Sequence, residues 1–248
     1  MHAHSHTPRK KWTHYLWEFL MLFLAVFCGF LAENFREHQV EHQREEKFAI
    51  SLAEDLKKDK IALSGEIPFW EGLLKKVDTI KAEIEQPPSK RNVLLLYKNI
   101  SYMRAYSNFE YHDRTIEQLK NGGNFRLIRK SIVADSIIDY DALVKSQLRD
   151  QEVQSNNIYQ PLNYLQDKFL NSKYYVMFFV NPGHTDSIFK INPEVFAIAA
   201  NKNVELFEYY NHLQFYYTIT FYRLYTLKEL QRRATNLIEL LKKEYHLK

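Results

Sequence analysis

The stretch YLWEFLMLFLAVFCGFLA, residues 15–32, determines how the rest of the chain can be organised. Apart from Glu18 it contains no ionisable acid or base of the Asp, Glu, Lys, Arg or His type. Its 18 residues extend about 27 Å as a helix, close to the ~30 Å hydrocarbon core of a bilayer. The rings of Tyr15 and Trp17 favour the headgroup level at one end. The sequence therefore predicts a transmembrane anchor over residues 13–34.

Charged residues on the two sides of this stretch predict its orientation. Arg9, Lys10 and Lys11 precede it, and acidic residues are frequent after it. By the positive-inside rule, the basic, His-rich tail (1–12) is cytoplasmic and the C-terminal domain is periplasmic. Cleavage after Ala32 would place bulky Phe30 at a position that needs a small residue, so an uncleaved anchor is favoured over a signal peptide. We expect a single-pass protein of the bacterial inner membrane.

Three residues of the anchor are candidates for contacts between membrane helices. Ala25 and Gly29 form a small-xxx-small pair, which lets two helices approach closely. Glu18 is costly inside a bilayer, and one hypothesis gives it a proton-carrying role in a subunit of an ion-driven complex. Its position next to Trp17 favours the simpler interpretation, in which the carboxylate reaches the interface. The expected partners are the lipid bilayer and either a second copy or another membrane protein.

Composition excludes several classes of protein. With 34 Lys+Arg against 30 Asp+Glu, the chain lacks the basic excess of a nucleic-acid binder. Only 6 glycines are present, which disfavours glycine-rich phosphate loops, and no such motif occurs. A single cysteine excludes an intrachain disulfide and a CxxC zinc site. We therefore expect no enzyme, no catalytic residue, no cofactor and no nucleic-acid partner.

The remaining chain shows helical periodicity almost throughout and predicts an all-α fold. Residues 35–64 are interpreted as a juxtamembrane stalk helix and residues 65–248 as an elongated helical bundle. Pro161 indicates a kink or break, and a small β-hairpin is one option for residues 174–191. Near the C-terminus, apolar residues recur in steps of four and three, which predicts a long coiled-coil-like helix over about 203–245. Its expected stripe is Leu206, Tyr210, Leu213, Tyr217, Thr220, Leu224, Leu227, Gln231, Ala234, Ile238, Leu241 and Tyr245.

One motif carries a metal-site hypothesis. His38, Glu41 and His42 match H-x-x-E-H, in which two histidines one helical turn apart share a zinc ion and the glutamate acts as base. A membrane-tethered metal-dependent hydrolase is thus an alternative function. A third ligand cannot be identified in the sequence, and a solvated stalk face explains the same residues. We therefore predict no metal site.

Two stretches of the chain have a distinctive sequence. The first contains Tyr15–Val26 with Gly29-Phe30 and Glu33-Asn34, followed by Ser51-Leu52, Asp55-Leu56 and Asp59, and the second contains Thr115-Ile116, Leu119-Lys120, Gly123 and Arg126-Leu127-Ile128. Both stretches resemble a family of uncharacterised bacterial membrane proteins. In that family an N-terminal anchor precedes a helical domain of unknown function, and no catalytic residue is established that could be carried over. The resemblance covers the anchor and roughly the first half of the domain. It implies no mechanism. The single anchor, the long amphipathic helices and the absence of a convergent set of catalytic residues in the sequence instead predict an interaction module, meaning a scaffold, a sensor or an accessory subunit of a membrane complex.

Overall fold

The computed structural model describes residues 12–105, 107–171 and 202–247, and within these ranges it contains helices and no strand. The prediction of an all-α fold is confirmed. The tail over residues 1–11 and the possible hairpin at 174–191 lie outside the described residues. The helices are α1 (Trp12–Glu85), α2 (Val93–Tyr102), α3 (Arg114–Asn121), α4 (Ser131–Gln154), α5 (Gln160–Phe169) and α6 (Asn203–Tyr245), with short 3-10 turns at Pro88–Lys90 and Asn124–Leu127.

Helix α1 runs without interruption from the apolar stretch into the core of the bundle. Its 74 residues extend about 110 Å. Every residue from 12 to 39 is exposed, whereas Glu45 and Ala49 are already buried. The division into a stalk ending at 64 and a bundle beginning at 65 stays a prediction about domains, and no helix end falls there. Pro68 lies inside the helix on an exposed position.

By length and composition, α1 qualifies as a membrane-crossing helix, the one such helix found in the described residues. None of the side chains in its apolar window is buried in the protein, so the window is not a core helix. A signal sequence near the N-terminus would pass the same test of length and composition.

Helix α6 packs antiparallel to α1 and forms the other long element of the bundle. The Tyr210 hydroxyl lies 2.5 Å from Glu85 Oε1 at one end of the pair, and the Tyr245 hydroxyl lies 2.7 Å from Glu45 Oε1 at the other. Apolar side chains between these ends bury each other, which supplies most of the driving force for folding. The heptad-like prediction for α6 is confirmed in its period.

The stripe on α6 differs from the predicted one at three of its twelve positions, and a second heptad position is also buried. Tyr210, Tyr217 and Gln231 were expected inside but are only half-buried. Their predecessors in the chain are buried instead, because α6 faces both α1 and the α4–α5 segment and needs a wider covered surface than a two-helix seam. The buried residues at this second position are Tyr209, Tyr216, Arg223, Leu230 and Leu237.

The α4–α5 segment covers the third side of the bundle. Between the two helices, Ser155–Tyr159 forms a π-helical turn, and Pro161 follows in the first turn of α5. Proline has no amide hydrogen to donate to the preceding turn, and the π turn changes the hydrogen-bond pattern of the helix at this place. The expected interruption near Pro161 is therefore present as a π turn just before the proline.

Candidate functional site

A row of carboxylates on α1 faces the interior of the bundle. Glu45, Asp59 and Glu66 share one heptad position with Leu52, and Asp55 lies beside them. All four acids are less than a tenth exposed. A buried carboxylate is tolerated only when hydrogen-bond donors replace the water that it has lost. These acids therefore mark where other segments of the chain are held on α1.

Asp59 has the most complete set of donors. It accepts hydrogen bonds from the backbone amide of His112 at 2.9 Å and from the Tyr140 hydroxyl at 2.8 Å. The Nδ1 atom of His112 lies 3.0 Å from the same carboxylate. Burial raises the pKa of Asp59, and the hydrogen bonds from His112 and Tyr140 oppose that rise. The side chain joins α1, the loop before α3, and α4.

Asp55 caps helix α3 from outside that helix. It accepts hydrogen bonds from the amide of Thr115 at 3.2 Å and from its hydroxyl at 2.5 Å. Asp113 occupies the capping position in the sequence, yet its side chain makes no capping bond. The carboxylate of Asp55 therefore satisfies an amide of the first turn of α3 and interacts favourably with the positive end of the helix dipole.

A second buried acid, Asp141 on α4, extends the network. It accepts a hydrogen bond from Tyr111 at 2.9 Å and pairs with Lys120 and Lys145. Burial alone would raise the pKa of Asp141, but the hydrogen bonds from Lys120 and Tyr111 hold it below its usual range. The rings of Tyr111 and Tyr140 are in contact, with centroids 6.2 Å apart. Asp59 and Asp141 are thus two ends of one polar network.

This network brings together two stretches that are distant in the sequence. Asp55 and Asp59 belong to one stretch and Thr115 to the other, although about 60 residues separate them. Gly123, also in the second stretch, has φ of 61°, which glycine adopts without the strain of a Cβ atom. The hydrogen bonds of Asp55 and Asp59 therefore hold the loop and α3 against α1.

The chemistry available to His112 is limited. Asp59 orients its Nδ1 as a carboxylate does in a catalytic dyad, and the imidazole side chain is partly exposed at 29%. Among the described residues no hydroxyl or thiol bonds to its other ring nitrogen, so the dyad has no nucleophile. The arrangement fits a structural tie and not a reaction centre.

The sequence motif His38, Glu41 and His42 is not assembled as a metal centre. The Arg129 guanidinium lies 2.8 Å from Glu41 Oε2 and 3.3 Å from His38 Nδ1. A positive charge thus contacts two of the three candidate ligands. In the parts of the chain that the structure describes, no three His, Cys, Asp or Glu side chains are grouped to hold a metal ion.

The candidate residues of the anchor lie on an exposed helix. Glu18 Oε1 is 3.0 Å from His14 Nε2, one turn earlier on the same helix. A Cβ atom added at Gly29 would meet nothing within 4 Å, so the helix surface there is open. Ala25 is likewise exposed. These residues are placed to contact a bilayer or a second helix.

Local periodicity missed the roles of Asp141 and Tyr140, which receive partners from distant segments. The sequence does contain a signal for such residues, namely a polar residue on the inward face of a helical stripe that is otherwise apolar.

Comparison with protein-family models, with curated proteins and with solved structures finds no match for this chain.

Proposed function

We propose that the protein is a single-pass protein of the bacterial inner membrane, with residues 1–12 in the cytoplasm and the bundle in the periplasm. The bundle works as an interaction domain, that is, a scaffold, a sensor or an accessory subunit of a membrane complex. The main support for the proposal is that α1 is one unbroken helix. Its first part is an apolar segment that is fully exposed, and its later part belongs to the core of the bundle. Because it is one helix, it fixes how the bundle is oriented relative to the anchor.

The outward face of α6 supports a role in interaction. In its first half it exposes large apolar side chains that are 54–76% accessible, and they recur along one side of the helix over about 32 Å. Contiguous exposed apolar surface is typical of sites that bind other proteins or membranes. The residues are Val204, Phe207, Phe215, Phe221, Tyr222 and Tyr225.

Single cysteines on either side of the apolar stretch test the topology. Cys28→Ser removes the only cysteine, and Thr13→Cys or Glu46→Cys then adds one at an exposed position. A membrane-impermeant maleimide added to cells with a permeabilised outer membrane should label the Glu46→Cys variant. The Thr13→Cys variant should react only after the inner membrane is broken. Labelling is read from the mass of the purified protein.

Two further measurements accompany the labelling. Alkaline carbonate should leave the protein in the membrane pellet, and its intact mass should include the N-terminal residues. Loss of about 30 residues would identify a cleaved signal peptide and contradict the anchor. The reverse labelling pattern would keep the anchor and overturn the orientation.

Oxidation of Cys28 tests whether a second copy contacts the anchor. Cys28 lies one residue before Gly29 and one turn after Ala25, so it borders the small-residue face. Copper-phenanthroline treatment of membranes should produce a disulfide-linked species of twice the monomer mass. Gly29→Leu should reduce that species at least fivefold, because the larger side chain keeps the helices apart.

Phe27→Leu is the matched control, since Phe27 lies on the opposite side of α1 in a row with Phe19 and Phe23. It should leave the dimer band unchanged. A cross-linked product of another mass would indicate a different membrane protein as partner. If oxidation gives no cross-linked product, the anchor does not associate through this face.

A further inference from the structure

Arg223 lies in the interior of the bundle, in the half of α6 that is distant from the apolar stretch. Its side chain is only 2% exposed. The guanidinium carbon stands 4.2 Å from the centroid of a Trp70 ring, and Nη1 donates a hydrogen bond of 2.9 Å to the Tyr159 hydroxyl. Among the described residues no carboxylate oxygen lies within the 4.0 Å of an ion pair with Arg223. Within the described part of the chain, the positive charge is therefore buried without a negative partner.

The acid that approaches this region directs its oxygens to other donors. Glu66 accepts hydrogen bonds from the indole N–H of Trp70, at 2.9 Å, and from the Ser107 hydroxyl. Trp70 therefore contacts both the carboxylate of Glu66 and the guanidinium of Arg223. A charge that is removed from water without a counter-charge is strongly destabilising, so a negative group is needed beside Arg223.

Two nitrogens of Arg223, Nε and Nη2, make no hydrogen bond within the described structure. These two nitrogens form one edge of the planar guanidinium, and their N–H bonds point in nearly the same direction. That edge binds both oxygens of one carboxylate or phosphate group in the bidentate arrangement. The unpartnered Nε–Nη2 edge of Arg223 therefore has the geometry that binds an oxyanion.

Further unpartnered polar atoms lie on the same two helices. On α6, Thr220 Oγ1 and Tyr216 OH come about one and two turns before Arg223, on the same face. The Thr220 hydroxyl is close enough to Tyr216 to oppose the rise in the pKa of Tyr216 that burial causes, and neither hydroxyl bonds a third group in the described residues. On α4, Gln147 Nε2 and Gln154 Oε1 are also buried and unbonded in the described part of the chain. Native proteins leave few buried polar atoms unpaired. Those found in residues 12–105, 107–171 and 202–247 all belong to α4 and α6.

The antiparallel register of α4 and α6 places these residues in the same segment of the bundle, about two helical turns long. Ser136 and Asp139 line a surface groove together with Arg233 and Leu237. Because the two helices are antiparallel, moving from that groove toward the C-terminus of α4 corresponds to moving toward the N-terminus of α6. Residues Gln147–Gln154 of α4 therefore lie beside residues of about 218–226 of α6. The π turn that begins directly after Gln154 ends at Tyr159, which contacts Arg223. Such turns are rare and occur frequently at functional sites.

We propose that this region binds one small soluble oxyanion, a carboxylate or a phosphate, on the Nε–Nη2 edge of Arg223. The hydroxyls of Thr220 and Tyr216 donate further hydrogen bonds to it, and the bound anion neutralises the buried charge. The anion is not a lipid headgroup, because Trp70 is 38 helical residues from Ala32, or about 57 Å. The exclusion of lipid is the one step that rests on the proposed membrane anchoring.

Thermal unfolding of the full-length protein in detergent tests the site, with sodium acetate and sodium phosphate as probes and sodium chloride at equal ionic strength as reference. Either oxyanion should raise the midpoint in a saturable manner, by about 3–6 °C at ten times its dissociation constant. The anion that gives the larger shift identifies the class. Arg223→Met should abolish the shift and, in chloride, should be at least as stable as the wild type.

Arg233→Met is the matched control, because Arg233 lies on the same helix but pairs with Glu229 near the surface. It should keep the full oxyanion shift. Two results would overturn the proposal: equal midpoints in acetate, phosphate and chloride, or a shift that appears only with added anionic lipid. Since the measurement does not require α1 to span a membrane, this proposal and the proposed function can fail separately.

Discussion

Replacing Asp59 with alanine is expected to lower the free energy of unfolding by about 3–5 kcal/mol. The substitution leaves the amide of His112 and the hydroxyl of Tyr140 without the acceptor that they have in the folded state. Urea unfolding of the full-length protein in detergent measures the loss. Trp70 is fully buried and reports the transition by fluorescence once Trp12 and Trp17 are replaced by phenylalanine.

Asp59→Asn separates the hydrogen bonds from the charge. The amide oxygen can accept from His112 and the amide nitrogen can donate to the Tyr140 oxygen, so we expect a loss of only about 1 kcal/mol at neutral pH. Because the folded-state pKa of Asp59 is above its unfolded value of 3.8, its favourable contribution is present at low pH and is lost as the pH rises through the folded pKa. The wild type should therefore gain stability relative to Asp59→Asn as the pH falls from 7 toward 4.

Asp141→Asn should show the opposite trend in the same experiment. The pKa of Asp141 is lowered in the folded protein, so its contribution is present above the unfolded value of 3.8 and disappears as the pH falls through the folded pKa. The cost of Asp141→Asn should be largest at neutral pH. If Asp59→Ala costs less than 1 kcal/mol, or if the two asparagine variants share one pH trend, the network does not hold the loop on α1.

The sequence is sufficient to predict the long helices but not the contacts that join them. Leu213, Leu227 and Leu241 recur at a fixed heptad step, and that local period alone indicates a buried face. By contrast, the bond between Asp59 and His112 joins residues 53 positions apart. No periodicity predicts such a pair, because the loop before α3 has no repeating pattern of its own.

Charged residues explain the other differences between the predicted and observed structures. Asp55 and Asp59 make the segment after the anchor rich in charge, so its pattern resembles a solvated stalk, yet both acids face inward. Arg223 is buried as well, although arginine is rarely buried in proteins. Its burial follows from the heptad position that it shares with Tyr216 and Leu230. The partners of Asp55 and Asp59 lie more than 50 residues away in the chain, so the local sequence pattern does not show that these acids are buried.

Trp70→Ala is the second substitution with a large expected effect, a loss of about 3–5 kcal/mol in the free energy of unfolding. The side chain is fully buried, packs edge-on against Phe69 and lies against the guanidinium of Arg223. Alanine leaves a cavity and removes the indole donor to Glu66. Unfolding is followed by far-UV circular dichroism, since the fluorescent reporter is lost.

Trp70→Phe keeps an aromatic ring beside Arg223 and removes only the indole N–H, so it should cost clearly less than Trp70→Ala. Repeating both substitutions in an Arg223→Met background measures the contact between ring and guanidinium. If that contact stabilises the buried charge, Trp70→Ala should cost about 1–2 kcal/mol less in the Arg223→Met background than in the wild type. If Trp70→Ala costs the same free energy of unfolding in both backgrounds, Trp70 stabilises the bundle by packing and by its hydrogen bond to Glu66, and not by its contact with Arg223. Arg223 would then depend on its oxyanion and on Tyr159 for all of its stabilisation.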